Sequence, residues 1–294
     1  MSARPRILLT GRNGQVGWEL ARTLSTLGEV VATDSQALDL ADADAIRRVV
    51  AEVRPRIIVN PAAHTAVDKA ESEPDRAHAL NAIAPGVLAE EAEKLGALLV
   101  HYSTDYVFDG SGDAPWREDA GTGPLNVYGS TKLAGEQAIR ERCRRHLVFR
   151  TSWVYGGRGA NFLLTMRRLM KERPELKIVA DQIGAPTWCR SLAEATAQVL
   201  AQVHSPFLGA DKPAPWGVYH MTNAGETSWH GFAAAIQALD PSPAPARLVP
   251  IPSRDYPTPA RRPLNSRLDN GKLERVFGLR LPPWQEALRH CLET

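Results

Sequence analysis

The 294-residue chain contains only three cysteines, Cys143, Cys189 and Cys291, with no CxxC pair among them. An odd number of scattered thiols excludes a disulfide scaffold and points to a reducing, cytoplasmic setting. His64, His101 and His220 form no HxxH or HExxH spacing, so no metal site is expected. No apolar run approaches the roughly 18 residues of a membrane helix. Arg4 and Arg6 lead directly into Ile7-Leu8-Leu9 and a glycine loop, and the expectation is a fold that begins at once, without signal peptide or membrane anchor. An excess of one charge is missing too: 35 basic against 33 acidic side chains leave +2, which offers no footprint for nucleic acid. No internal repeat or heptad pattern is visible.

What is present is apolar material for a core, 44% of residues, in a chain long enough for about two domains. Up to Thr151, short apolar runs (Arg6 to Thr10, Glu29 to Thr33, Ile57 to Asn60, Leu98 to Ser103, Leu147 to Thr151) alternate with helical patterns. The helices are expected at Gln15 to Leu27, Asp42 to Val53, Pro74 to Leu95 and Asn126 to Arg142, the second capped by Asp42. This cadence predicts an α/β fold, a doubly wound parallel, Rossmann-like sheet, with a smaller C-terminal substrate-binding lobe. Residues 1–151 form the expected dinucleotide-binding domain; residues 152–294 form mainly the second lobe, with segments returning to the sheet. Helices are expected there at Asn161 to Lys171 and Ser191 to His204. The proline-rich stretch Pro241 to Arg262 reads as an irregular connection.

The first strand runs into Gly11-Arg12-Asn13-Gly14-Gln15-Val16-Gly17, a GxxGxxG turn opening a helix. Glycines permit a tight turn and close approach to a pyrophosphate, which backbone amides and the helix N-terminus stabilise. Asp34 ends the second strand, where an acidic side chain accepts from the adenosine ribose and favours NADH; strand-end aspartates also serve as turn residues. Arg12 could instead pair with the 2′-phosphate of NADPH. Both cofactors stay open.

Tyr128 and Lys132 are four apart on a predicted helix and share a face. Bringing a tyrosine from about 10 to neutrality takes roughly 4 kcal/mol. An ammonium about 4 Å away supplies roughly that amount at an effective dielectric of 20. Upstream, Ser103-Thr104-Asp105 ends a strand at the carboxyl edge of the sheet, where α/β sites form.

The glycine loop with Thr104, Tyr128 and Lys132 resembles the extended short-chain dehydrogenases/reductases. Ala62 to Glu71, His101 to Phe108, Pro124 to Gly129, Arg150 to Tyr155 and Pro257 to Pro263 narrow the resemblance to the dTDP-4-dehydrorhamnose reductase family. The resemblance implies reduction of the 4-keto group of dTDP-4-dehydro-β-L-rhamnose, with Tyr128 as proton donor, Thr104 bonding the reacting oxygen and Lys132 holding the nicotinamide ribose. It implies that Gly11 to Gly17, Asp34, Asp39, Leu40, Ala62, Ala63, His64 and Tyr102 line NADPH or NADH. Val67, Asp68, Thr104, Asp105 and Trp153 would line the dTDP-sugar. A large aromatic near a strand end is usually core, but the resemblance favours substrate contact for Trp153, while Arg261-Arg262 reads evenly as a diphosphate clamp or a solvated pair. Arg190 stands where some family members carry a magnesium-bridging carboxylate, so no metal is implied, and monomer and homodimer both remain open. The same fold also serves a non-catalytic NADP-binding regulatory subunit of the methionine adenosyltransferase type, and sugar-nucleotide epimerases and dehydratases. Dehydratases follow the threonine with Asp-Glu; here Asp105 is followed by Tyr106.

Overall fold

The computed structural model describes residues 4–204, 215–240 and 245–293. The apolar runs of the first half are strands β1 (Arg6–Leu9), β2 (Glu29–Ala32), β3 (Ile57–Asn60), β4 (Leu98–Thr104) and β5 (His146–Thr151). Between them the chain crosses back through α1 (Gln15–Thr23), α2 (Ala43–Val53), the succession α3 (Val67–Ser72), α4 (Pro74–His78) and α5 (Ala84–Leu95), and α6 (Val127–Arg142). The second half adds β6 (Val154–Tyr155), α7 (Phe162–Glu172), β7 (Glu175–Val179), β8 (Ile183–Gly184), β9 (Thr187–Trp188), α8 (Cys189–His204) and β10 (Gly217–His220). It ends with β11 (Thr227–Ser228), α9 (Trp229–Leu239), β12 (Arg247–Ile251), β13 (Asn265–Ser266), α10 (Gly271–Phe277) and α11 (Trp284–Leu292).

The main sheet runs β10-β5-β4-β3-β1-β2 with every neighbouring pair parallel. Its winding reverses between β1 and β3, which opens a crevice at the carboxyl ends of those strands. Strand side chains alternate between two cores. Ile7, Leu9, Ile57 and Val59 pack with Leu20 of α1 and Leu192 and Val199 of α8. Leu8, Ile58 and Leu99 face the other way, onto Ile46 and Val50 of α2, Leu88 of α5 and Ile139 of α6. With both faces covered, these strands carry unbroken apolar runs rather than alternation. A third core joins Leu163 and Met166 of α7, Phe232 of α9 and Trp284 of α11 in the second half of the chain.

Local chemistry sets the ends of the helices. Asp42 sits outside α2 as its cap, accepting from the amides of Asp44 and Ala45. The helix expected over Pro74 to Leu95 is interrupted by a wide turn at Ala79–Ile83. Pro85 has no N–H to return to the Asn81 carbonyl, and the chain widens there. The first helix stops at Thr23 and closes with the tight turn Leu24–Thr26.

The expected irregular connection from Pro241 to Arg262 is corrected in part. Pro241 and Pro243 lie outside the described residues, but Arg247–Ile251 is a strand paired in parallel with Glu175–Val179. Pro250 is tolerated because this two-stranded ribbon leaves one edge unpaired, where a missing N–H costs little.

Beneath β4, Glu136 of α6 and Arg150 of β5 form a buried bidentate pair at 2.6 and 2.9 Å. Ser103 donates a further bond to Glu136. Arg150→Met strands a buried carboxylate and is expected to lower stability by about 3 kcal/mol in urea unfolding. The double variant with Glu136→Leu is expected to lose less than the sum of the single losses.

Candidate active site

The crevice at the carboxyl ends of β1, β3, β4 and β5 is a cleft of about 630 Å3. Its floor begins at the glycine loop. Gly11 adopts φ +59°, and an added Cβ would stand 2.9 Å from the Cβ of Ala62. A Cβ on Gly17 would lie 2.1 Å from the Gly11 carbonyl oxygen. The loop can therefore fold flat only with glycine at these positions. Gly14 caps α1 without a side-chain bond, so the first-turn amides beside Gln15, Val16 and Gly17 open uncapped onto the cleft. This cradle fits the pyrophosphate of a dinucleotide.

Next along the cleft come Asp34, Asp39, Leu40, Ala62 and Ala63, with Asn13 beside them. Asp34 Oδ1 accepts from the amides of Ala37 and Gln36, and Oδ2 accepts from Asn13. These bonds, the Ala37 amide foremost, hold its carboxyl below the usual range, helped by Arg12. Asp34 is thus a turn residue and a cleft residue together. The exposed Arg12 side chain lies outside the lining, on the Asp34 side. His64 also lies outside it. The Asn81 side chain pins the His64 backbone, accepting its N–H at 2.8 Å and donating to its carbonyl at 3.1 Å. The His64 ring lies 3.4 Å from Glu73.

Thr104, Tyr128 and Lys132 converge at the inner end. Asn126 caps α6 through the Gly129 amide, which turns Tyr128 toward the end of β4. The Thr104 side chain partly offsets the effect of burial on the Tyr128 hydroxyl. Thr104 donates to Asp105 Oδ1 at 3.0 Å and accepts from the Tyr106 amide. Burial raises the Tyr128 pKa and holds the phenol protonated. This differs from the direct electrostatic lowering by Lys132 expected from the four-residue spacing, because the ammonium points elsewhere. Lys132 Nζ donates to the Tyr102 carbonyl at 2.6 Å and meets His101 Nε2 at 2.9 Å. Burial lowers the Lys132 pKa to about 7, against support from Glu136.

Tyr102 meets Lys132 through its backbone carbonyl. Its ring turns into the core beside Phe149, and its hydroxyl bonds Thr196 at 2.7 Å. Burial pushes Asp105 up to about 6, with the Ser266 and Thr104 hydroxyls drawing it part of the way back.

On the opposite wall Val67 and Trp153 line the cleft. Trp153 holds φ +48°, a left-handed backbone rare for a bulky side chain, and stacks on Trp229 at 3.7 Å between ring centroids. Sequence reasoning missed Trp229, whose only signal was being an aromatic near a helix start. It also missed Arg76, which lines the rim from α4. Asp68 is not part of the lining: its carboxylate accepts from the Ala260 amide and pairs with Arg262 at 2.9 Å. Of the two arginines held open above, Arg262 is therefore neutralised within the protein. Among the described residues no cluster of potential metal ligands occurs, and no helix is long and apolar enough to cross a membrane.

Residues 5–294 match the family of the RmlD substrate binding domain. The chain is 52% identical to a dTDP-4-dehydrorhamnose reductase of Burkholderia thailandensis, over 98% of each chain. Among solved structures it is similar to a Clostridium acetobutylicum dTDP-4-dehydrorhamnose reductase, with TM-score 0.91 and 38% identity over 98% of both chains. It is also similar to the Bacillus anthracis dTDP-4-dehydrorhamnose reductase in complex with NADP, with TM-score 0.89 and 36% identity over 99% of this chain and 100% of that one.

The buried Asp105 carries a signature in stability. Its folded pKa stands above its unfolded value, so its favourable contribution is complete below about pH 4 and is lost as pH rises through about 6. Asp105→Asn keeps the shape and removes the titration. Relative to wild type, the variant should gain about 3 kcal/mol between pH 4 and 7 in urea unfolding.

Proposed function

The chain belongs to the RmlD substrate binding domain family, and from that premise we propose that it reduces the 4-keto group of dTDP-4-dehydro-β-L-rhamnose to give dTDP-L-rhamnose, using NADPH or NADH. The observation that carries this reading is the convergence of Thr104, Tyr128 and Lys132 on a cleft whose floor is an uncapped glycine-loop helix. The reduced nicotinamide, when bound, supplies the hydride. Gly11 and Asn13 to Gly17 would hold the pyrophosphate, Asp34 and Arg12 the adenosine ribose, and Lys132 the nicotinamide ribose.

The chain's own part is to bind the ketone and manage one proton. Thr104 bonds the carbonyl oxygen, and Tyr128 gives it a proton as negative charge develops. Burial suits that role, because it keeps Tyr128 in the protonated form from which it must start. Tyr106 follows Asp105 where an eliminating enzyme carries a second acid, which supports simple reduction over dehydration. On this reading residues 1–151 bind the dinucleotide, residues 152–294 bind mainly the sugar nucleotide, and the Trp153–Trp229 stack forms the sugar-side wall. The protein would work in the cytoplasm, without nucleic acid, as a monomer or homodimer.

The test is stoichiometric NAD(P)H oxidation with the 4-keto-rhamnose nucleotide. Formation of a 4-keto-6-deoxy sugar from dTDP-glucose would instead mark a dehydratase. Tyr128→Phe is expected to lower kcat by about 100-fold or more with cofactor Kd within about twofold. Lys132→Met is expected to damage both kcat and cofactor affinity. Arg12→Ala is expected to weaken NADPH selectively in a binding titration, since NADH lacks the 2′-phosphate; equal weakening of both would remove Arg12 from that contact.

A further inference from the structure

Behind Lys132 lies a file of buried polar groups that the reading above does not use. Thr10 at the end of β1 is within 2.6 Å of Asn60 Oδ1 at the end of β3. Asn60 Nδ2 lies 3.1 Å from His101 Nδ1 on β4. His101 Nε2 lies 2.9 Å from Lys132 Nζ on α6. Asn60 and His101 are fully buried, and Thr10 and Lys132 are 1% exposed. The parallel register pairs Asn60 directly with His101, so the file runs across the sheet rather than along the chain.

A neutral imidazole has one donor nitrogen and one acceptor. If Lys132 is an amine, it accepts from an Nε2–H, and the bare Nδ1 accepts from the Asn60 amide. If Lys132 is an ammonium, it donates to a bare Nε2, and an Nδ1–H needs an acceptor. The Asn60 side-chain oxygen supplies it once the amide turns over, and Thr10 Oγ1 then accepts from Nδ2. Asn60 therefore offers the ring a donor in one amide orientation and an acceptor in the other, one for each arrangement.

We propose that His101 is a positioning residue for Lys132, accepting it as ammonium or amine by exchanging which ring nitrogen carries the proton. The pair then takes up or releases one proton while the imidazole stays neutral. Both ring nitrogens keep a partner at either stage, where an orphaned one would cost about 1–3 kcal/mol. The proposal deepens the assignment of Lys132 above.

Burial holds His101 well below the usual histidine range, with Lys132 reinforcing it, so the ring itself does not become charged. The lowered Lys132 value, about 7, puts the exchange within working pH. Glu136 on α6 is the carboxylate that supports the ammonium, and Arg150 of β5 pairs with it. Asp105 and Tyr128 titrate at the same end of the cleft, Glu71 of α3 is engaged by the Val127 amide, and Arg76 of α4 stands at the rim.

The test uses 15N-resolved imidazole spectra of the ligand-free protein, with the His101 signals assigned by their loss in His101→Gln. Between about pH 5.5 and 8.5 the His101 ring should stay neutral while its proton moves from Nδ1 to Nε2, with a midpoint near 7. In Lys132→Met the exchange should vanish. A single tautomer throughout, an imidazolium at the acid end, or an exchange that persists in Lys132→Met and so follows Asp105, would each overturn the proposal. No substrate is present, so this outcome is independent of whether reductase activity is found.

Discussion

The ammonium of Lys132 is buried where helix α6 crosses the end of a parallel sheet, and the rest of the site is arranged around that burial. An isolated charge in such a place is expensive unless its donors are met. The Tyr102 carbonyl and the His101 ring meet them, and Glu136 lies one turn further along the same helix. To reach these partners α6 must lie close against its neighbours. Gly129 sits where a Cβ would meet the Tyr106 carbonyl, and Gly135 where one would meet the Asn81 carbonyl. The wide turn around Asn81 therefore serves α6 as well as its own chain. Asn81 ties Thr131 of α6 to the His64 backbone, and so fixes α6 against the wall of the cleft.

The sequence made legible what depends on local chemistry: strands buried on both faces, a glycine loop that tolerates no Cβ, and the capping of α2 by Asp42. Thr104, Tyr128 and Lys132 were readable because spacing on a helix and position at a strand end are themselves local. What spacing could not give was direction. Four residues on a helix place Lys132 and Tyr128 on one face, yet the long lysine side chain reaches past the tyrosine to groups from β4. Tyr102 illustrates the same limit, since alternation along β4 sends its ring into the core while its carbonyl faces the site.

Other features were illegible because their partners lie far apart in the chain. Asp68 meets Arg262 and the Ala260 amide. That contact fastens the proline-rich segment to α3, and Asn126 fastens it again through the Arg261 carbonyl, two residues before Tyr128. The parallel pairing of Glu175–Val179 with Arg247–Ile251 likewise joins segments about seventy residues apart, and only that pairing makes a strand of a proline-bearing run. Trp229 belongs here too: its importance comes from stacking on Trp153, which no pattern within α9 announces.

These long-range ties keep the geometry of the cleft from being loose. Beside the glycine loop, Asn161 caps α7 through the Leu164 amide and donates to Gln15. At α3 and α6, the Asp68–Arg262 pair and the Asn126 bond hold the proline-rich segment in place. Between them, Trp153 is kept in a left-handed backbone conformation by stacking on Trp229 and by close packing over Gly184. Strain of this kind persists only where surrounding contacts over-determine it. A wall so constrained can hold a ring in one orientation against Thr104 and Tyr128, and reduction of a ketone to a single alcohol configuration requires that constraint.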